Sequence, residues 1–227
     1  MGINKTKSDA AAIKTFKKNG VTFGVLNYTY GTNGIPLPSG KEYLVDVIDE
    51  DSIKRDVYMS EKSTDFTIAF MHWGVEYSPN PSEEQKELAQ KMCDWGVDLI
   101  VGAHPHVIQG AEWLEGKAGN KTFVYYSLGN FVSRQTEAQN LLGGIADIKL
   151  EITDGKPAIK DAAFKPIVTH YNSDCSEFCV YPLEKYNDDL ASVHGISSYG
   201  RAMSIANLEE ILYNTFEGYD KNLIDYK

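Results

Sequence analysis

Cysteine, histidine and positive charge are all in short supply in this chain. Three cysteines in 227 residues cannot supply the two pairs that a four-sulfur zinc site needs. Lysine and arginine number 22 against 32 acidic residues, a formal charge of −10. That balance argues against nucleic acid and against an anionic membrane surface, because neither is attracted overall. No apolar run approaches the ~20 residues required to span a bilayer. There is no internal repeat, low-complexity tract or linker rich in glycine and proline. No signal-peptide pattern opens the chain; Met1-Gly2-Ile3-Asn4 reads as an abrupt start, so that absence says little about location. What remains is a packed chain with 42% hydrophobic residues and 14 tyrosines, large enough for one sizeable domain or two small ones.

Histidine is scarce, with only five, and three of them fall in informative places. His72 follows the apolar run Phe66 to Met71. His104 and His106 follow the run Val97 to Val101, in Gly102-Ala103-His104-Pro105-His106. One helical pattern lies between the runs, so the unit reads strand, helix, strand. A right-handed crossover puts both strands in one sheet with their carboxyl ends on the same rim. His72 can then meet the His104–His106 pair although it is distant in sequence. Imidazole is a common ligand for zinc and other transition metals, so the trio is a candidate metal site, with His72, His104 and His106 as ligands or catalytic groups. The competing reading is three surface histidines that merely hydrogen-bond. His104 and His106 alternate about Pro105 and cannot point the same way in a regular strand, so they are expected on a loop. His170 and His194 have no such context and read as structural or surface residues.

Around these, the pattern predicts a helix from Ser8 to Lys18, stopped by Asn19-Gly20. It predicts strands over Val21 to Tyr28 and Tyr43 to Ile48, and a helix from Asp49 to Lys62 with an acidic first turn. Ser82 is expected to cap a helix with Gln85 in the capping-box position, and Gly96 to end it. Leu88, Met92 and Trp95 recur at helical spacing and read as core. Strands are predicted over Thr122 to Tyr126, Gly144 to Ile152 and Lys156 to Thr169, with Asp154-Gly155 as a hairpin turn. A last helix is expected over Arg201 to Thr215. Parallel units followed by antiparallel strands imply an α/β fold with a mixed sheet or two packed sheets. Cys93 reads as a buried thiol. Cys175 and Cys179 form a local disulfide in an oxidising compartment, or else a redox or metal pair.

Three ordered segments carry a family resemblance: Met71-His72-Trp73-Gly74-Val75-Glu76-Tyr77, Val101-Gly102-Ala103-His104-Pro105-His106-Val107, and Tyr126-Ser127-Leu128-Gly129-Asn130-Phe131. With Tyr28-Thr29-Tyr30-Gly31-Thr32-Asn33, they resemble the CapA family of poly-γ-glutamate capsule biosynthesis, itself similar to the calcineurin-like metallophosphoesterases. The resemblance covers about Ser8 to Val168. It implies one domain over 1–227, with a family core at about 8–168 and an extension at about 169–227. The implied fold is a sandwich of mixed sheets flanked by helices, incomplete at the N-terminus, because the family's early Asp and Asn ligand motifs have no counterpart here. The implied cofactor is a divalent metal, Zn, Mn or Fe, and the implied activity is metal-dependent hydrolysis of the phosphoesterase type. The implied partners are an anionic polymer or its precursor and capsule-synthesis membrane proteins, at the cell envelope or its extracellular face. A homo-oligomer, or a chain supplying the missing half, is the expected way to cover exposed strand edges. A non-catalytic polymer-binding or assembly component is the alternative.

Four further residues are candidates around the histidines. Glu76, four positions past His72, is a possible oxygen ligand or second contact, against a solvated loop acid. Asn130 reads as a turn former, with an oxyanion contact as the minor reading. Arg134 can meet an anionic substrate, against an ordinary surface arginine. Glu112 is a weaker version of Glu76.

Overall fold

The computed structural model describes residues 2–226. In chain order its elements are α1 (Lys7–Ala10), β1 (Lys14–Lys18), β2 (Val21–Thr29), α2 (Glu50–Ser63), β3 (Phe66–His72), α3 (Glu83–Trp95), β4 (Leu99–Ala103), β5 (Ala111–Glu115), β6 (Lys121–Tyr125), α4 (Ala138–Leu141), β7 (Leu142–Thr153), β8 (Lys156–Tyr171), β9 (Phe178–Pro182), α5 (Asp188–Ser192) and α6 (Ile205–Thr215). They form a six-stranded sheet, in the order β1-β2-β3-β4-β6-β5, and a three-stranded sheet, β7-β8-β9. In the larger sheet β2, β3, β4 and β6 run parallel and the edge strands β1 and β5 run antiparallel. The smaller sheet is wholly antiparallel. The expected mixed α/β architecture is therefore present.

The parallel strands have two apolar faces, and each face has its own cover. Leu26, Tyr28, Ala69, Met71, Ile100 and Val124 pack against α2 and α3 through Ile53, Val57, Leu88 and Met92. Burying each of the larger side chains contributes about 1.5–3 kcal/mol. On the other face, Leu99, Phe123 and Tyr125 pack against β8 and α6 through Phe164, Val168, Leu208 and Leu212. The helix starts are set locally. Asp49 accepts from the Ser52 N–H at α2, and Ser82 with Gln85 closes a capping box at α3. Gly96 ends α3 at φ 112, a conformation that a side chain disfavours.

The N-terminal reading needs correction. Instead of a helix from Ser8 to Lys18 there is one helical turn and then β1, which pairs with β2 in register from Lys14↔Val25 to Lys18↔Val21. Asn19 (φ 53) and Gly20 (φ 84) are both left-handed, which makes Asn19-Gly20 a hairpin turn and not a helix stop. Phe16 stacks on Phe23 across the pair, with centroids 4.7 Å apart, and this cross-strand contact wins over helical spacing. Tyr43 to Ile48 is not a strand either. Glu42–Leu44 is a 3-10 turn, followed by isolated bridges at Val45 and Val47. β5 and β9 had no sequence signal. Cys175 and Cys179 are free thiols, which corrects the disulfide expectation. Cys175 sits at φ 57 in the turn before β9 and faces Arg134, whereas Cys179 is on β9 itself beside Tyr181.

Candidate functional site

Strand register sets the site. Thr29 pairs with His72, and His72 with Ala103, so β2, β3 and β4 end level on one rim. The chain then turns sharply after each strand. Tyr30 follows β2, His72 closes β3, and His104 comes directly after β4. The rings of His72 and His104 lie 4.7 Å apart, and those of His104 and His106 6.2 Å apart. The three imidazoles thus share the carboxyl rim of a parallel strand pair.

The backbone under these histidines is strained. His104 has φ 105 and His106 φ 61, both left-handed, and neither is a residue that escapes the Cβ clash as glycine does. Such a conformation costs of order 1–3 kcal/mol and persists only where neighbours over-determine it. Here they do. Tyr77 N–H donates to the Pro105 carbonyl at 2.8 Å, and Trp73 N–H to the Ala103 carbonyl at 3.0 Å. The His106 carbonyl accepts from the side chains of both Asn130 and Asn140, each at 3.2 Å. Gly102 permits the close approach of β4 to the chain after β6, since a Cβ there would fall 1.9 Å from the Tyr126 carbonyl oxygen.

Each imidazole has a different surrounding. Tyr30 leans on His104 with ring centroids 4.3 Å apart and stacks more loosely on His72 at 5.9 Å. Tyr77 stacks on His106 at 5.8 Å. Burial, and then repulsion from the other two imidazoles, push the His72 pKa below its ordinary value, with Glu76 opposing. Burial also lowers His104, with Glu76 again opposing. Both rings are thus held toward the neutral form that can donate a lone pair. His106 Nδ1 lies 2.9 Å from Asn130 Oδ1, and its Nε2 lies 3.8 Å from Glu76 Oε1.

The other candidates divide. Glu76 is at the mouth, beside His106. Asn130 is also there, but bound to His106 and not presented to solvent as an oxyanion donor: its amide nitrogen is already shared among the His106 carbonyl, the Asn140 carbonyl and Gln135 Oε1. Arg134 points elsewhere, with Nη2 3.4 Å from Tyr199 Oη and its guanidinium toward Cys175. Glu112 accepts from Tyr126 Oη at 3.0 Å on β5 and has a structural partner. Sequence reasoning missed Tyr30, Tyr77, Gln135 and Asn140. Tyr30 and Tyr77 stand inside the quoted motifs, so their position was visible; Gln135 and Asn140 gave no signal.

An apolar groove of about 1070 Å³ runs from His72 between the two sheets, floored by Ile68, Phe70 and Val101 and walled by Leu128, Ile145 and Ile148. β7 is an edge strand on that side.

The fit to a metal ion is partial in donor type and incomplete in number. Three nitrogen donors face one mouth, but among the described residues no three His, Cys, Asp or Glu side chains gather into a group able to hold an ion. The rings do not close on a common point, and one acidic side chain, Glu76, stands beside only one of them. As arranged, these residues are not a complete metal centre.

A family model described as "Bacterial capsule synthesis protein PGA_cap" matches residues 1–135. This chain belongs to that family. The PGA biosynthesis protein CapA of Bacillus subtilis (strain 168) is 35% identical over 146 residues, which is 60% of this chain and 34% of that protein. The capsule biosynthesis protein CapA of Bacillus anthracis is 42% identical over 73 residues, 32% of this chain and 16% of that protein. The PGA_cap chain thus spans about a third or less of the length of these curated relatives. Among solved structures, the NAD nucleotidase of Haemophilus influenzae aligns with 97% of this chain and 40% of that one, at 14% identity and a TM-score of 0.45. The calcineurin-like phosphoesterase YfkN of Bacillus subtilis aligns with 91% of this chain and 56% of that one, at 15% identity and a TM-score of 0.33. Among the described residues, no helix is long and apolar enough to cross a membrane.

Proposed function

We propose that this PGA_cap chain carries the histidine-bearing part of a metal-dependent hydrolase site of the phosphoesterase type. The whole protein would act in capsule synthesis at the cell envelope, on an anionic polymer such as poly-γ-glutamate or on its precursor. The observation that supports this reading most is the meeting of His72, His104 and His106 on one strand rim, over a backbone strained at two of the three. A divalent metal, Zn, Mn or Fe, when bound, would polarise the scissile group or a water molecule. The carboxylate ligands that such a centre requires would come from polypeptide outside this chain. The neutral imidazoles of His72 and His104 are suited to donate lone pairs, Glu76 adds a negative charge at the mouth, and Tyr30 and Tyr77 pack against the rings.

A second reading, a polymer-binding or assembly component without chemistry, draws support from the apolar groove that opens beside His72. Capsule-synthesis membrane proteins, a second copy of this chain, or a chain that supplies further strands are the partners such a groove and the β7 edge would suit. The two readings separate by metal content and turnover. On the hydrolase-part reading, purified chain binds zinc or manganese weakly, His104→Ala abolishes that binding, and aryl phosphate turnover with added metal is slight. Absence of any metal binding would favour the second reading. Robust turnover that vanishes in His104→Ala would show that this chain needs no further ligands. Sedimentation at micromolar concentration tests the partner expectation: association is expected, and a clean monomer counts against it.

A further inference from the structure

We propose that Asn130 is a positioning residue: it locks His106 in the Nδ1–H tautomer and so presents an unprotonated Nε2 to the mouth. The inference rests on the proposed function only in giving His106 a task there; the tautomer itself follows from hydrogen-bond bookkeeping around one amide.

The two ends of the Asn130 amide are not interchangeable in this structure. Its nitrogen lies 3.2 Å from the His106 carbonyl oxygen and 2.9 Å from the Asn140 carbonyl oxygen. Both of those are backbone oxygens, which can only accept. Turning the amide over would set Oδ1 against two carbonyl oxygens, two repulsive contacts in place of two hydrogen bonds, and leave the nitrogen only His106 Nδ1 to donate to. The amide nitrogen therefore faces the carbonyls, and Oδ1 faces His106 Nδ1 at 2.9 Å. An amide oxygen can only accept, so Nδ1 must carry the proton. In the neutral ring the lone pair is then on Nε2, the atom on the Glu76 side.

Neighbours hold this arrangement from behind. Gln135 Oε1 takes a third contact from the Asn130 nitrogen at 2.9 Å, and Gln135 Nε2 donates to Tyr77 Oη at 3.1 Å. Tyr77 in turn stacks on the His106 ring. Tyr171 Oη donates to the Gln135 carbonyl at 3.0 Å, tying the loop to β8. Asn140 is 3% exposed, and its own side chain shares the His106 carbonyl with Asn130. The ring is thus fixed in tautomer by one contact and in orientation by several, an arrangement that supports a group acting through its far nitrogen.

Long-range proton–nitrogen correlation NMR of the histidine rings tests this on the whole chain. His194 provides an internal reference of opposite sense, since its Nδ1 accepts from the Ile196 N–H and its Nε2 donates to the Thr169 carbonyl. The expected spectrum at a pH where the rings are neutral has His106 protonated on Nδ1 and His194 on Nε2. Asn130→Ala should lose the preference, whereas Asn140→Ala, which leaves Asn130 Oδ1 and the Asn140 carbonyl in place, should retain the Nδ1–H form. An Nε2–H form or an even mixture at His106 in the unsubstituted protein overturns the proposal, and so does an Asn130→Ala spectrum without change. If Asn130→Ala does not fold, the unsubstituted and Asn140→Ala spectra decide. Titrating zinc chloride into the same sample separates the two levels. Perturbation of His106 Nε2 supports both, whereas an unperturbed ring that keeps its Nδ1–H form upholds the positioning role and removes the hydrolase reading.

Discussion

The chain holds two clusters of histidine and tyrosine, and they are built on opposite terms. At the rim, His72 at the end of β3 and His104 and His106 on a strained loop stand among Tyr30 and Tyr77. In the C-terminal part, His170 and His194 meet with ring centroids 4.9 Å apart, among Tyr171, Tyr181 and Tyr186. His194 is fully buried, with both ring nitrogens in protein hydrogen bonds. His170 Nδ1 lies 2.8 Å from Tyr186 Oη. Similar side chains are therefore held differently. In the C-terminal cluster the His194 imidazole ties the end of β8 to the 3-10 turn that starts at Gly195, whereas at the rim the rings pack on one another and on Tyr30 and Tyr77, and His106 is held by Asn130 through Nδ1. His194 differs from the rim histidines in having both ring nitrogens claimed by the protein, and His104 and His106 differ from it in the strained backbone beneath them.

The largest test of that contrast is His194→Ala. It leaves the Thr169 carbonyl and the Ile196 N–H unpaired in the interior and opens a cavity, so a loss of about 2–4 kcal/mol is expected in denaturant unfolding. His72→Ala, on an exposed ring, should change stability by less than about 0.5 kcal/mol. Equal losses at the two positions would break the distinction.

A second test uses the two ends of β4. His104 follows one end, and Asp98 precedes the other, where its carboxylate accepts from the Thr67 N–H at 2.7 Å. Burial pushes Asp98 up to about 7, opposed by the Thr67 N–H and assisted by Glu61, which accepts from Thr67 Oγ1. The native state therefore holds this proton more tightly than the unfolded chain does. Its contribution is fully present below the ordinary carboxylate range and is lost as pH rises through about 7. A fall of order 1–3 kcal/mol in unfolding free energy between pH 4 and 7.5 is expected from this group. Asp98→Asn should flatten that part of the profile; an unchanged slope would show that other groups cause it.

A smaller effect than that of Asp98 is expected at His104. Glycine accepts φ 105 readily, so His104→Gly should stabilise the chain by roughly 0.5–1 kcal/mol, less what the Tyr30 contact supplied, while removing whatever binding the rim supports. A loss of stability would mean that the loop is less strained than its dihedral implies.

Much of this could be read from the residues in order. The apolar runs before His72 and His104, the capping box at Ser82 and Gln85, the glycine stop at Gly96 and the Asp154-Gly155 turn each depend on contacts within a few positions, and local chemistry fixes those. The common rim of the three histidines also followed, because two parallel strands joined by one helix can be arranged in few ways. Failure came where distant partners decided. Asn19-Gly20 serves a helix end or a hairpin equally well until Phe16 finds Phe23 across the turn. β9 forms because β8 offers an edge, and Cys175 and Cys179 stay apart because the strand carries one of them away from the turn. The tautomer of His106 was out of reach for the same reason: it is set by Asn130, which is 24 positions away, and by carbonyls that only the folded loop brings to that amide. Sequence placed the imidazoles on the rim through short-range periodicity; tertiary structure decided which nitrogen of His106 stays free, because a ring proton goes where a fixed acceptor waits for it.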